Sequence, residues 1–248
     1  MSEPQLFVLE DAQAVTVRAA EEVAHVAGEA ISIHGQFTLC LAGGSTPAAM
    51  YELLATRFKL SVDWKEVQFF WGDDRCVPPD HKASNYAMAT RTMLSPLGIK
   101  PEQIHRIHGE LKPDECATAY EAELRKFFSL RPGQLPRFDL ALLGLGANAH
   151  TASLFPGDPA IHETRRMALA VEVDDPTQRH RVTLTAPVLN NAARVMFVVH
   201  GADKAPAVQQ ILEGPRNLDR FPAQVIAPKD GEFIWILDKQ AAGRLSRR

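Results

Sequence analysis

The chain has 248 residues, of which 46% are hydrophobic and 23% charged, and its formal net charge is −3 at pH 7. This length and composition are typical of a globular protein with a sizeable core, and we expect a single domain over residues 1–248. Lysine and arginine are scattered rather than clustered, which argues against a nucleic-acid partner. No run of about 18 apolar residues occurs, so we expect a cytoplasmic protein with no membrane partner.

The three cysteines, Cys40, Cys76 and Cys116, are widely spaced and form no Cys-x-x-Cys pair. Such pairs are the usual sign of a zinc site or a redox-active dithiol. We therefore interpret the cysteines as ordinary thiols. No side chains have the spacing of metal ligands, so no metal site is predicted.

Helical patterns and apolar runs alternate along the chain. The helical patterns cover residues 11–33, 47–57, 85–94, 114–128 and 205–212. The apolar runs, each with the length of a buried strand, cover residues 37–42, 67–71, 138–143, 195–199 and 233–237. This alternation predicts an α/β fold of the doubly wound, Rossmann-like type, in which helices flank a mainly parallel sheet. The less regular residues 168–185 leave room for an additional strand pair.

The first predicted strand ends in a turn with two glycines and two hydroxyls, Gly43-Gly44-Ser45-Thr46, before Pro47. Glycines allow a ligand to approach the backbone closely, and the following helix N-terminus suits a phosphate. The lysine and glycine spacing of a P-loop are missing, which disfavours a nucleoside triphosphate. The alternative is a tight turn with a helix capped by Ser45 or Thr46.

The second predicted strand runs into a polar loop that begins Asp73-Asp74-Arg75 and continues to Asn85. By itself this loop is explained by a surface ion pair, which contributes roughly 0 to 1 kcal/mol. The position of Arg75 after a strand favours a second interpretation, because its planar guanidinium is suited to holding a phosphate.

The third predicted strand is followed by His150 in a turn of small residues. A titratable side chain at a strand end is a candidate catalyst, and the alternative is a structural histidine. The run from Gly144 also fits the Gly-x-Gly-x-x-Ala pattern of dinucleotide sites. That pattern needs a full helix after it, whereas Pro156 and Pro159 end any helix early, so we expect no dinucleotide cofactor.

The fourth predicted strand leads to Lys204 at the start of a helix. A cation is unfavourable at that end of the helix dipole unless an anion lies nearby, which hints at a bound anion; a solvated lysine is the alternative. In a doubly wound sheet all four loops lie at the carboxyl edge of the strands. Together they predict a phosphate site next to a general base.

These motifs resemble those of the 6-phosphogluconolactonase family, which shares a superfamily with glucosamine-6-phosphate deaminase. The resemblance covers nearly the whole chain and rests on four motifs, at residues 41–47, 71–78 with 84–86, 150–156 and 181–185. It implies a metal-independent and cofactor-free lactonase of the oxidative pentose phosphate pathway. Such an enzyme hydrolyses 6-phospho-D-glucono-1,5-lactone to 6-phosphogluconate, with His150 as the catalytic residue.

The sequence departs from the family pattern in two motifs. Asn148 and Ala149 stand where the family usually has an aspartate and a glycine, and Asp74 stands where it usually has a glutamate. Asn148 removes a carboxylate that stabilises an imidazolium, but it keeps His150 neutral more readily, so we expect activity to persist. The related deaminases use the missing aspartate for proton transfer, which disfavours that alternative.

Our hypothesis is that His150 is the general base, that Asn148 assists it, and that a phosphorylated sugar lactone is the small-molecule partner. The residues expected to hold the substrate and its phosphate are Gly43, Gly44, Ser45, Thr46, Asp73, Arg75, Asn85, Arg181 and Lys204. A non-catalytic sugar-phosphate sensor needs a DNA-binding helix pair, for which the residues before Phe37 are too few. An inactive paralogue is a further alternative, and we expect a monomer or a weak homo-oligomer.

Overall fold

The computed structural model describes residues 3–175 and 178–246. The described strands are β1 (Gln5–Leu9), β2 (Phe37–Leu41), β3 (Val67–Trp71), β4 (Asp73–Arg75), β5 (Leu140–Leu143), β6 (Ala168–Glu172), β7 (His180–Leu184), β8 (Arg194–Val199) and β9 (Glu232–Asp238). The α-helices are α1 (Ala12–His34), α2 (Ser45–Ala55), α3 (Asn85–Ala89), α4 (Ser95–Leu97), α5 (Pro113–Phe127), α6 (Ala186–Asn190) and α7 (Ala205–Leu212).

Six strands form one parallel sheet in the order β1-β9-β8-β5-β2-β3. The central strands β2 and β5 are buried throughout, as expected for strands covered on both faces by helices. The predicted α/β fold with a mainly parallel sheet is confirmed, and all five apolar runs are strands. The extent of the domain over residues 1–248 stays a prediction.

Strand β1 was not predicted from the sequence. It lies at the edge of the parallel sheet and pairs only with β9. Residues 6–9 form an apolar run as long as that of β5, but they are exposed or half-buried because β1 is an edge strand, and this run was not recognised as a strand.

Three strands form a second, antiparallel sheet in the order β4-β7-β6. The additional strand pair within residues 168–185 is therefore confirmed, whereas the prediction that residues 73–75 are loop is wrong. Gly72 joins the two sheets, because its N–H donates to Leu41 at 2.9 Å and its carbonyl accepts from Leu184 at 2.8 Å. The chain thus passes from β3 into β4 without a connecting loop.

Two helix predictions need correction. Helix α2 begins at Ser45, two residues before Pro47, and its N-cap is Gly44, whose φ of 105° favours glycine. Ser45 and Thr46 are therefore inside the helix, and the predicted capping by their hydroxyls is wrong. The helix predicted over 85–94 is α-helical only as far as Ala89, and a π-helical turn follows at Thr90–Leu94.

Candidate active site

A cavity of about 300 Å³ lies where the carboxyl ends of the parallel strands meet the second sheet. It is lined by ten of the residues that the sequence singled out: Gly43, Gly44, Ser45, Thr46, Asp73, Arg75, Asn85, His150, Arg181 and Lys204. The eleventh, Asn148, does not line this cavity but contacts His150. The structure therefore brings all of the predicted site residues together.

The glycine turn at Gly43 and Gly44 allows the backbone to approach the side chain of Asn85 closely. A Cβ at Gly43 would lie 2.0 Å from Oδ1 of Asn85, so only glycine fits against this side chain. The first turn of α2, which contains Ser45 and Thr46, follows directly at the cavity wall. Its N–H groups and the positive end of the helix dipole favour an anion there.

Two arginines stand opposite one another on neighbouring strands of the second sheet. Arg75 on β4 is the direct cross-strand partner of Arg181 on β7. Like charges in such a pair destabilise a sheet unless a negative group compensates them. The Nε atoms of both arginines are buried without a hydrogen-bond partner among the residues described. Burial, followed by the charge of Arg75, lowers the pKa of Arg181.

A buried carboxylate orders the loop that presents Arg75 and Asn85. Asp74 accepts hydrogen bonds from the N–H of Arg75 at 2.8 Å, of Asn85 at 2.7 Å and of Tyr86 at 3.1 Å, and from the hydroxyl of Ser84 at 3.1 Å. Burial nevertheless raises the pKa of Asp74 to about 6. Nη1 of Arg75 in turn donates to Oδ1 of Asn85 at 2.6 Å. The carboxylate therefore fixes the positions of two cavity residues at once.

Asp73 is the carboxylate that lines the cavity itself. Its Oδ2 accepts from the hydroxyl of Ser153 at 2.6 Å, and the N–H of Ser153 donates to the hydroxyl of Thr183 at 3.2 Å. All three side chains are buried. Ser153 links the second sheet to the loop that carries His150. Sequence reasoning missed this role because Ser153 gains it only through contacts with residues 80 and 30 positions away in the chain.

His150 lies in a tight loop whose neighbours fix its ring. Its Nδ1 lies 2.5 Å from Oδ1 of Asn148, and its ring stacks on Phe155 with 4.4 Å between centroids. Because an amide oxygen only accepts hydrogen bonds, Nδ1 carries the proton and Nε2 keeps a free lone pair. A Cβ at Gly146 would lie 2.1 Å from Nδ1 of His150, so glycine is required there. Phe155 and Gly146 were not among the predicted site residues.

The surroundings of His150 keep the ring neutral. Burial is the main cause that lowers the pKa of His150, to about 4, and the charges of Arg181, Lys204 and Arg75 lower it further. The carboxylate of Asp73 acts in the opposite direction. At neutral pH the imidazole is therefore able to accept a proton, and burial and charge both contribute to this state.

Lys204 forms the end of a 3-10 turn and the N-cap of α7, as its position in the sequence implied. Its Nζ lies 3.0 Å from Oδ2 of Asp203, so part of the unfavourable interaction with the helix dipole is offset by a carboxylate. The side chain is 25% exposed and also lines the cavity. An anion is therefore not needed to explain its position, although one is compatible with it.

Over residues 3–175 and 178–246, no group of three or more His, Cys, Asp or Glu side chains is arranged to hold a metal ion. Within the same residues no helix is long and apolar enough to cross a membrane. All three cysteines are free thiols, and none of them lines the cavity.

A sequence model of the family described as glucosamine-6-phosphate isomerases/6-phosphogluconolactonase matches residues 10–235. The chain belongs to this family. A 6-phosphogluconolactonase of Synechocystis sp. is 39% identical over 243 residues, which cover 98% of each chain. A 6-phosphogluconolactonase of Nostoc sp. is 38% identical over 240 residues, covering 96% of this chain and 97% of the relative. The solved structure of 6-phosphogluconolactonase from Trypanosoma brucei is 27% identical, has a TM-score of 0.88, and covers 99% of this chain and 100% of its own.

Membership of the glucosamine-6-phosphate isomerase/6-phosphogluconolactonase family confirms the resemblance drawn from four motifs. The structure adds that all four motifs contribute to the wall of one cavity. Two of the residues that depart from the expected pattern, Asn148 and Asp74, make short hydrogen bonds to or beside cavity residues.

Proposed function

We propose that the protein hydrolyses 6-phospho-D-glucono-1,5-lactone to 6-phospho-D-gluconate, with His150 as the general base. The names of the relatives support this substrate, since the Synechocystis, Nostoc and Trypanosoma proteins are all 6-phosphogluconolactonases. The observation that carries the proposal is the cross-strand pair of Arg75 and Arg181, whose buried Nε atoms have no partner among the described residues.

The arginine pair is suited to the 6-phosphate. A phosphate bound beside the two guanidiniums offsets their mutual repulsion and accepts charge-assisted hydrogen bonds from their N–H groups. Each charge-assisted hydrogen bond contributes roughly 1.5 to 3 kcal/mol. Gly43, Gly44 and the first turn of α2 supply further donors beside them, and Lys204 adds a positive charge. Asp73 repels phosphate, so we assign it to a sugar hydroxyl, together with the amide of Asn85.

His150 then handles the proton of the reaction. Nε2 takes a proton from a water molecule as the water oxygen bonds to the lactone carbonyl carbon. When the bond from that carbon to the ring oxygen breaks, the imidazolium returns the proton to the ring oxygen. Backbone N–H groups of the glycine turn or the guanidinium of Arg181 stabilise the charge that develops on the carbonyl oxygen. General acid–base catalysis of this kind contributes about 10² to 10⁴ in rate.

Phosphate binding also strengthens the base. Three of the charges that lower the pKa of His150 belong to Arg181, Lys204 and Arg75, which line the same cavity. A bound phosphate dianion compensates these charges, so the pKa of His150 rises when the substrate binds. The substrate thereby improves the proton acceptor that acts on it.

The first test compares the enzymatic hydrolysis of phosphorylated and unphosphorylated gluconolactone, measured as acid release above the spontaneous rate. We expect kcat/KM to be at least about a hundredfold higher for the phosphorylated lactone, since two or more charge-assisted hydrogen bonds are lost without the phosphate. Arg181→Ala should reduce this ratio, whereas the exposed Arg216→Ala should not. A ratio near one contradicts the assignment of the phosphate site.

The second test replaces His150 with alanine and uses His25→Ala, at an exposed helix position, as the matched control. We expect the first variant to lose about 10² to 10⁴ in kcat and the control to keep it. Activity of His150→Ala within about twofold of the parent excludes the general-base role. Release of ammonia from glucosamine 6-phosphate at a comparable rate would favour the deaminase alternative instead. The cytoplasmic location, the absence of a nucleic-acid partner and the monomeric or weakly oligomeric state stay predictions.

A further inference from the structure

We propose that a second cavity, on the other side of the His150 loop, binds the phosphate group of a small metabolite and acts on His150 through Asn148. This cavity has a volume of about 480 Å³. Its wall includes Asn148 in the loop that carries His150, Gln209 in α7, and two arginines, Arg220 and Arg244. The binding of a ligand in this cavity does not depend on the proposed function. Only the effect of that ligand on lactone hydrolysis rests on the proposed function.

The charges in this cavity favour an anion. No acidic side chain lines it, and neither arginine has a side-chain hydrogen bond or an ion pair within residues 3–175 and 178–246. The guanidinium of Arg220 lies 5.3 Å from the centroid of the Phe221 ring, which limits its motion while leaving its N–H groups available. Two arginines from separate segments and an amide beside them form a set of donors that suits phosphate better than a singly charged group.

The amide nitrogen of Asn148 belongs to this set of donors, because the amide oxygen is directed to His150. Its Oδ1 lies 2.5 Å from Nδ1 of His150 and 3.3 Å from the backbone nitrogen of the same residue. The oxygen is therefore engaged, and the Nδ2 amide is the hydrogen-bonding group of Asn148 that has no partner in the described part of the chain. An aspartate at this position would bring a negative charge to the wall of the cavity. The departure from the family pattern thus makes the cavity suitable for an anion.

A second contact connects the cavity to the loop. The N–H of Ala223 donates to the carbonyl of Ala149 at 3.0 Å, only three residues after Arg220. Ala149 is buried and has a φ of 65°, a left-handed conformation that alanine adopts only when its surroundings hold it. A ligand that draws Arg220 and Asn148 together therefore acts on both sides of this strained residue, next to His150.

The decisive experiment counts the inorganic phosphate ions that bind to each chain by calorimetric titration. We expect two sites in the parent protein. Arg181→Ala should remove the one in the active-site cavity, and the double variant Arg220→Ala/Arg244→Ala should remove the other. The exposed Arg216→Ala should keep both. A single site in the parent, or two sites in the double variant, overturns the proposal.

A second variant keeps the test decisive if the double variant does not fold. Asn148→Asp adds a negative charge to the cavity wall without removing either arginine. It should weaken the second site by about tenfold or more and leave the first within about threefold. If the phosphate affinity of the second site is the same in Asn148→Asp as in the parent, the proposal is contradicted.

Kinetics test the action on His150. Phosphate in the active-site cavity competes with the substrate and raises KM, whereas phosphate in the second cavity should change kcat. We expect the change in kcat to disappear in Arg220→Ala/Arg244→Ala while the competitive effect persists. If phosphate leaves the parent kcat unchanged, the link through Asn148 is excluded. A protein without lactonase activity but with two phosphate sites would contradict the proposed function alone.

Discussion

Replacing Asn148 with aspartate tests how the protein keeps His150, the proposed general base, neutral. In the parent, Oδ1 of Asn148 fixes the proton on Nδ1 of His150 without adding charge. The aspartate keeps the same acceptor geometry and adds a negative charge beside the ring. We expect this charge to raise the pKa of His150, because an opposite charge stabilises the imidazolium.

The size of the shift follows from distance and exposure. An opposite charge within about 4 to 6 Å shifts a pKa by about 1 to 3 units, and position 148 is exposed, so solvent screening favours the lower half of that range. From a starting pKa of about 4, the variant should titrate near pH 5 to 6. At pH 5 the parent keeps about nine-tenths of its free base, whereas a variant with a pKa of about 6 keeps about one-tenth.

The assay is the pH dependence of kcat/KM for the phosphorylated lactone, which reports the ionisation of the free enzyme. Its acid limb should move to higher pH by about 1 to 2 units in Asn148→Asp. Asn148→Ala is the control, because it removes the hydrogen bond without adding a charge. It should lower the plateau of the kcat/KM profile and should not show the charge-induced shift of the acid limb. If the acid limb of Asn148→Asp coincides with that of the parent, the ring of His150 is not the group whose charge limits activity in acid.

Three further results are expected. Gly146→Ala should lower kcat at least about tenfold, since its Cβ would collide with the His150 ring, while Gly144→Ala should not, because nothing lies within 4 Å of a Cβ there. The acid limb of kcat should lie at higher pH than that of kcat/KM, because bound phosphate raises the pKa of His150, and a common limb contradicts this. Between pH 7 and pH 5 the free energy of unfolding, measured in urea, should fall by up to about 2 kcal/mol less in His150→Gln than in the parent. The sign follows because the folded pKa of His150 lies below its unfolded value, so the parent loses stability as the pH falls below about 6.5.

The sequence predicted the inner strands well because each of them, such as β2 and β5, is a short apolar run buried on both faces. It failed at the two places where strand formation depends on distant partners. The edge strand β1 is half-exposed and is held by β9 at the far end of the chain. The polar strand β4 exists because Gly72 redirects the chain and β7 supplies the partner. The partnership of β4 leaves no apolar pattern in the local sequence, whereas residues 6–9 of β1 form an apolar run that was not recognised.

The convergence of the candidate site residues on one cavity could be predicted from the sequence, for a physical reason. Loops at the carboxyl edge of a parallel sheet converge whatever their exact conformation, so Gly43, His150 and Lys204 had to lie near one another. The sequences of the loops do not reveal which contacts hold the loops in place. The contact of Ser153 with Asp73, and the approach of the His150 ring to Gly146, follow from packing between segments and have no signature in sequence spacing.

The second sheet explains how the site combines binding and catalysis. The parallel sheet supplies the glycine turn and the loop that carries His150, but the cross-strand partners Arg75 and Arg181 come from β4 and β7. Because these strands are antiparallel neighbours, the backbone positions of the two arginines are fixed directly opposite one another. In the proposed function, a bound phosphate offsets the repulsion between the two guanidiniums. The same charges lower the pKa of His150. In the proposed function, the arrival of the phosphate therefore both offsets the charges of the arginine pair and makes His150 a better base.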